Sequence, residues 1–254
     1  MLVRMNRSVV GSLMSPEMLD RLRRSPSAQS VPGTPPVLMF GRIESATVAT
    51  VGLNPSHREY LDQSGVQLSR ERRRLETLET VGAHSRGDLT DAQCRAILDS
   101  QSNYHARNQY AWFRPLDRVL SALGGGFNDG TAVHLDLVQE ATKPTWSSLA
   151  RHEREALLAV DGTFLRWQLT SFEIDTVICS SATVGLNVRS LVGGEIHDSG
   201  DINGVTWWTG CSDSSPAPMW LAGWNKTLAR AGLTIEQQGD LGRAIAKSLK
   251  TAGR

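Results

Sequence analysis

Residues 46–56, Ala-Thr-Val-Ala-Thr-Val-Gly-Leu-Asn-Pro-Ser, decide the fold. An apolar, β-branched run with Val48 and Val51 stops abruptly at Gly52-Leu53-Asn54-Pro55-Ser56. A short run of this kind, bounded by turn residues, predicts a buried strand. Gly52 allows a sharp turn and a close backbone approach. Pro55 fixes φ and has no N–H to give. Asn54 is thereby expected at the carboxyl end of a strand, where open α/β sheets carry their chemistry. An amide there can orient a water or a polar group of a substrate. The plainer alternative is that Asn-Pro is turn chemistry alone.

Working outward, the N-terminal 36 residues read as an extension and linker. A short helix is expected at 16–24, and the Ser- and Pro-rich 25–36 reads as a linker or a wrapped loop. Residues 37–254 read as a single domain. A short strand at 37–40 leads to the main strand. Thr90-x-x-Gln93 resembles a capping box that opens a helix to about residue 100. Trp112, Phe113, Leu116, Val119, Leu120 and Leu123 recur at helical spacing, with Pro115 suited to the first turn. Strands are expected at 132–138, 173–180 and 205–209. Helices are expected at 149–169, 217–231 and 241–249. Strands alternating with crossover-length helices predict an α/β three-layer sandwich with a mainly parallel four-stranded central sheet.

Ala49-Thr-Val-Gly-Leu-Asn54 recurs letter for letter at Ala182-Thr-Val-Gly-Leu-Asn187. A repeat architecture needs far more than six residues, so the echo reads as coincidence. Asn187 could still lie near the same sheet edge.

With 254 residues and 40% hydrophobic content, the chain can bury a sizeable core. No apolar run approaches the roughly 20 residues of a membrane span, and no signal-peptide core opens the chain. No membrane partner and a cytoplasmic location are expected. Cys94, Cys179 and Cys211 are widely spaced and form no zinc or iron–sulfur pattern. Neither a metal, an iron–sulfur cluster nor another cofactor is therefore expected. A net charge of +1 gives no global signal for nucleic acid. Two local basic clusters do: Arg21, Arg23 and Arg24, then Arg70, Arg72, Arg73 and Arg74. Such clusters supply phosphate contacts, although a solvated helix face accounts for them equally well.

Gly52-Leu53-Asn54-Pro55-Ser56 after a strand resembles the first motif of the uracil-DNA glycosylase superfamily, in its Asn-type Gly-x-Asn-Pro branch. Val133-His-Leu-Asp-Leu-Val138 fits that family's second landmark, a strand whose carboxyl end faces the extruded base. The third landmark is a loop after the last strand, often His-Pro-Ser. Here Ser214-Ser215-Pro216 lacks the His. The likeness in order and spacing covers about 37–232, and only the first motif is specific.

The resemblance implies a monomeric, uracil-DNA-glycosylase-like protein that binds DNA. It would flip a base and hydrolyse its N-glycosidic bond, leaving an abasic site. Asn54 would place the attacking water, and His57 would assist or contact a phosphate. Gly52, Leu53, Pro55, Asp136 and Phe113 would hold the base. Ser56, Ser214, Ser215 and Pro216 would press on the DNA, with Arg72 and Arg73 on phosphates. Asp136 falls where uracil readers place an Asn. An ionised Asp accepts only, which suits the N4 amino group of a cytosine-type base. The alternative is a buried structural hydrogen bond. A modified cytosine, and a role in anti-phage defence, are what the resemblance implies at its finest.

Glu59 and Asp62 read as solvated charges. Trp207, Trp208, Trp220 and Trp224 could stack a base or belong to the core. Tyr110 and Trp112 lie near the expected pocket, and 142–146 could shape its wall. The competing function is a catalytically inactive protein of the same fold that binds modified or damaged DNA. An unrelated hydrolase or nucleotide-binding enzyme is disfavoured, because no GxSxG, GxxxxGK[ST] or GxGxxG occurs.

Overall fold

The computed structural model describes residues 11–69, 71–108, 110–213 and 218–254. Six strands form one sheet: β1 Val48–Gly52, β2 Ala132–Asp136, β3 Thr176–Cys179, β4 Gly194–Ile202, β5 Val205–Ser212 and β6 Met219–Trp224. Among the described residues seven α-helices accompany them: α1 Pro16–Arg23, α2 Asp91–Ser102, α3 Tyr104–Arg107, α4 Arg114–Ala122, α5 Arg151–Ser171, α6 Ala182–Val192 and α7 Ile235–Ala252. The strand order is β2-β1-β3-β6-β5-β4. The first four are parallel, and β5 and β4 continue the sheet antiparallel.

The sheet is thus α/β and mostly parallel, with six strands rather than the expected four. The fourth parallel strand is β6, in a stretch expected to be helical. The error has a physical cause. Every residue of β6 but Trp220 is buried. Its apolar run is therefore continuous and lacks the alternation that marks a half-exposed strand. The strand expected at 205–209 exists as β5, but it runs antiparallel. It forms a hairpin with β4 through Asn203-Gly204, whose φ angles are 49° and 75°. Positive φ at both central residues is the turn that matches strand twist. At 37–40 no strand forms; Phe40 makes one isolated bridge to His134.

Side-chain alternation on the parallel strands builds a core on each face. Ala49, Val51, Val133, Leu135, Val177, Cys179 and Leu221 meet α1, α2, α5 and α6. Val48, Ala132, Ile178, Ala222 and Trp224 meet α3, α4 and α7. Each fully buried large apolar side chain contributes roughly 1.5–3 kcal/mol. The helix starts carry their caps. Thr90 accepts from Gln93 N while Gln93 Oε1 accepts from Thr90 N, the reciprocal box expected from sequence.

The repeated hexapeptide folds in two ways. Its first copy is β1 and the turn after it; its second opens α6. Ser181 caps that helix by accepting from Val184 N, and Gly193 ends it at φ 67°. Flanking caps and packing override identical local propensity. Asn187 lies on α6 and donates to Thr183 O.

Residues 25–36 take the wrapped-loop form. Val31 N donates to Ala141 O, Val37 N to Gln139 O, and Lys143 N donates back to Gln29 O. No described helix is long and apolar enough to cross a membrane.

Candidate functional site

The β1–β2 register continues into the Gly-Leu-Asn-Pro turn. Gly52 O accepts from Leu137 N, and Leu53 O accepts from Val138 N, both at 3.1 Å. Asn54 therefore leaves the sheet at a fixed point beside the segment after β2. Its Nδ2 donates to Pro55 O at 3.1 Å, Thr142 Oγ1 at 3.2 Å and Glu140 O at 3.3 Å. Two of these acceptors are carbonyls, which fixes the nitrogen on that side of the amide. Among the described residues no donor reaches Oδ1. Asn54 is half-buried, so Oδ1 is the end available to a water or ligand.

Leu53 is half-buried against the α5 side of the core, and Pro55 is buried. Ser56 caps a short 3-10 helix, His57–Glu59, by accepting from Arg58 N. His57 is half-buried. Burial, with Arg58 and Lys143 nearby, lowers its pKa below the ordinary value and favours the neutral imidazole.

On the α4 face of the sheet, Thr50, Gly52, His134 and Asp136 share one patch. Thr50 Oγ1 and His134 Nδ1 are 2.7 Å apart, and His134 Nε2 lies 3.5 Å from Asp136 Oδ1. Asp136 is only 4% exposed. Burial raises its pKa, against the pull of His134.

Glu59 was expected to be a solvated charge, yet it is 2% exposed. The Tyr104 hydroxyl donates to its Oε2 at 2.7 Å, and Arg74 Nη1 lies 3.7 Å from Oε1. Burial pushes Glu59 up to about 7, with Tyr104 and Arg74 opposing and Asp136 adding to the rise. A 3-10 turn that points the third residue inward carries no apolar signature, so the sequence concealed this group.

Phe113 is buried in an aromatic cluster with Phe40, Tyr104, His105 and Phe127, edge-on to His134 at 5.2 Å. Trp112 lies edge-on to the same His134 at 5.1 Å but is half-buried. It is therefore the aromatic of this cluster that both borders the Asp136 patch and reaches the surface. Trp224 is wholly buried and Trp207 nearly so.

Two cavities, of about 380 Å3 and 290 Å3, lie elsewhere. The larger is bordered by His105, Tyr110, Phe113 and Phe127, the smaller by Arg21, Glu140 and Asp161. Neither is lined by Asn54 or Asp136.

The basic clusters divide. Arg21 is buried among carboxylates, and Arg23 pairs with Asp91 at 2.5 Å. Arg72 is exposed, while Arg73 pairs with Glu76. Arg74 sits over the Tyr110 ring at 4.4 Å as well as beside Glu59. Arg70, Ser214, Ser215 and Pro216 lie outside the described residues. Among the described residues no group of three or more His, Cys, Asp or Glu could hold a metal ion.

The arrangement offers an oriented amide oxygen at the end of β1 and, separately, buried carboxyls at Asp136 and Glu59. An amide oxygen can align a water but is too weak a base to deprotonate one. A carboxyl of raised pKa can give a proton as well as take one. Neither the models of known protein families nor the curated protein sequences give a match to this chain.

Proposed function

We propose that the protein is a DNA glycosylase that hydrolyses the N-glycosidic bond of a flipped, cytosine-type base. The observation that carries this reading is the Asn54 amide, whose nitrogen is tied to three protein acceptors while its oxygen is left for a water. In a dissociative hydrolysis positive charge develops on the sugar and negative charge on the base. A water held near C1′ then needs orientation more than deprotonation. Asn54 supplies that orientation.

Asp136 supplies the complement. A cytosine is a poor leaving group unless N3 is protonated. In the proposed step the bond from N1 to C1′ breaks with its electron pair going to the base. The Asp136 carboxyl proton passes to N3, its carbonyl oxygen accepts from the N4 amino group, and the water oxygen bonds to C1′ and releases a proton to solvent. Burial of Asp136 supports this role, since it favours the protonated form. Trp112, half-buried and edge-on to His134, and the exposed Arg72 are the side chains proposed to meet the flipped base and the phosphate backbone.

The test is incubation with single- and double-stranded oligonucleotides carrying one cytosine, 5-substituted cytosine or uracil, followed by alkali. Strand cleavage at the cytosine-type base supports the enzyme. Retention of DNA without abasic sites supports the inactive binder instead. Neither cleavage nor retention removes both readings.

A further inference from the structure

The N-terminal segment and a buried ionic cluster converge on the residues that hold Asn54. Glu140 lies just after β2 and is 3% exposed. Arg86 reaches its two carboxylate oxygens through Nη1 and Nη2, both at 2.8 Å. Arg21 of α1 donates to Glu140 Oε1 at 3.1 Å and to Asp161 Oδ1 of α5 at 2.8 Å. Ser30 Oγ donates to Glu140 Oε2 at 2.7 Å. Asp161 Oδ2 in turn accepts from Gln139 N at 2.9 Å. Desolvation alone would raise the Glu140 pKa; Arg86, Arg21 and Ser30 together hold it down to about 2.

Segment 29–37 lies along 139–143 as a strap, with a Ser30–Thr142 bridge and main-chain bonds at Val31, Val37 and Lys143. The clamped segment carries both the Glu140 carbonyl and the Thr142 hydroxyl that accept from Asn54. Side-chain ion pairs alone rarely justify such a buried cluster energetically, since desolvation offsets most of their attraction. A rigid acceptor cradle gives the cluster a purpose.

We propose that Arg86 and Arg21, acting through Glu140 and aided by the 29–37 strap, are positioning residues that fix the orientation of the Asn54 amide. The inference rests on Asn54 as the working group of the site, but its first test needs no activity.

The Asn54 side-chain NH2 pair is assigned in 1H–15N spectra by its loss in Asn54→Ala. Its hydrogen exchange is then measured in wild type, Arg86→Lys, Ser30→Ala and Thr142→Val. Arg86→Lys keeps the charge and loses the two-pronged contact. The two mild variants serve if Arg86→Lys does not fold. Exchange is expected to speed up about fivefold or more in each, the factor for loss of one net hydrogen bond. Unchanged exchange in folded variants would overturn the proposal.

A second measurement applies if glycosylase activity is found. Arg86→Lys should lower kcat with DNA affinity unchanged, by up to about 100-fold for a misplacement near 1 Å. The same change made in Asn54→Ala should have no further effect. An equal loss in both backgrounds would mean a general structural role. Altered exchange without any glycosylase activity would leave the cradle standing and the proposed reaction refuted.

Discussion

Gly52 and Asp136 are register partners across β1 and β2, and the Asp136 carboxyl lies over the bare Cα of Gly52. A Cβ at position 52 would come within 2.8 Å of His134 Nε2 and closer still to Asp136 Oδ1. The glycine of the motif therefore makes room for the carboxyl, in addition to any role in the turn. Gly52→Ala should destabilise the fold by about 1–3 kcal/mol through overpacking. Urea unfolding checks this, and an unchanged midpoint would show that the patch has slack.

Asp136→Asn keeps a donor and an acceptor but has no proton to transfer. Excision of a cytosine-type base should fall by about 100-fold or more, the usual contribution of a general acid. Uracil, which leaves as an anion without N3 protonation, should not lose ground and gains entry. In the wild type, rates on cytosine-type bases should fall as pH rises through the elevated Asp136 pKa, because the acid form is lost. Initial rates on matched oligonucleotides across pH 5–9 decide the matter. Equal losses on both bases would remove the acid role.

Glu59 should make stability depend on pH. Its pKa is raised from 4.5 unfolded to about 7 folded. The folded state thus binds the proton more tightly. Its contribution is fully present below about pH 4.5 and is lost as pH rises through 7, by ~3 kcal/mol in all. Glu59→Gln can still accept from Tyr104 but does not titrate. Relative to wild type it should gain stability between pH 5 and pH 8 in urea titrations. A constant difference across that range would mean that Glu59 does not titrate there.

Much of the parallel sheet was legible because β1, β2 and β3 are short apolar runs with clear boundaries. The Thr90 box and Pro115 likewise marked helix starts through local chemistry. β6 was illegible because burial on both faces erased its periodicity. The β4–β5 hairpin was missed although Asn203-Gly204 is a turn signal, because β4 is mostly exposed and carries few apolar residues. The place of Asn54 just after β1 could be read from its motif. Glu140, Arg86 and Arg21 could not, since their meeting depends on the distant approach of α1, the 86 loop and the end of β2. Glu59 follows the same rule: its burial is a tertiary outcome.

Asn54 is proposed to orient a water for glycosidic hydrolysis. The most direct measurement uses duplex and single-stranded DNA bearing one modified cytosine, with wild type and Asn54→Ala compared at equal bound fraction. Alkali-labile sites are then quantified over time. Wild type should cleave, and Asn54→Ala should lose about 100-fold or more of that rate with DNA affinity unchanged. Equal rates from the two proteins, or no abasic sites from wild type on any cytosine-type or uracil substrate, would contradict it.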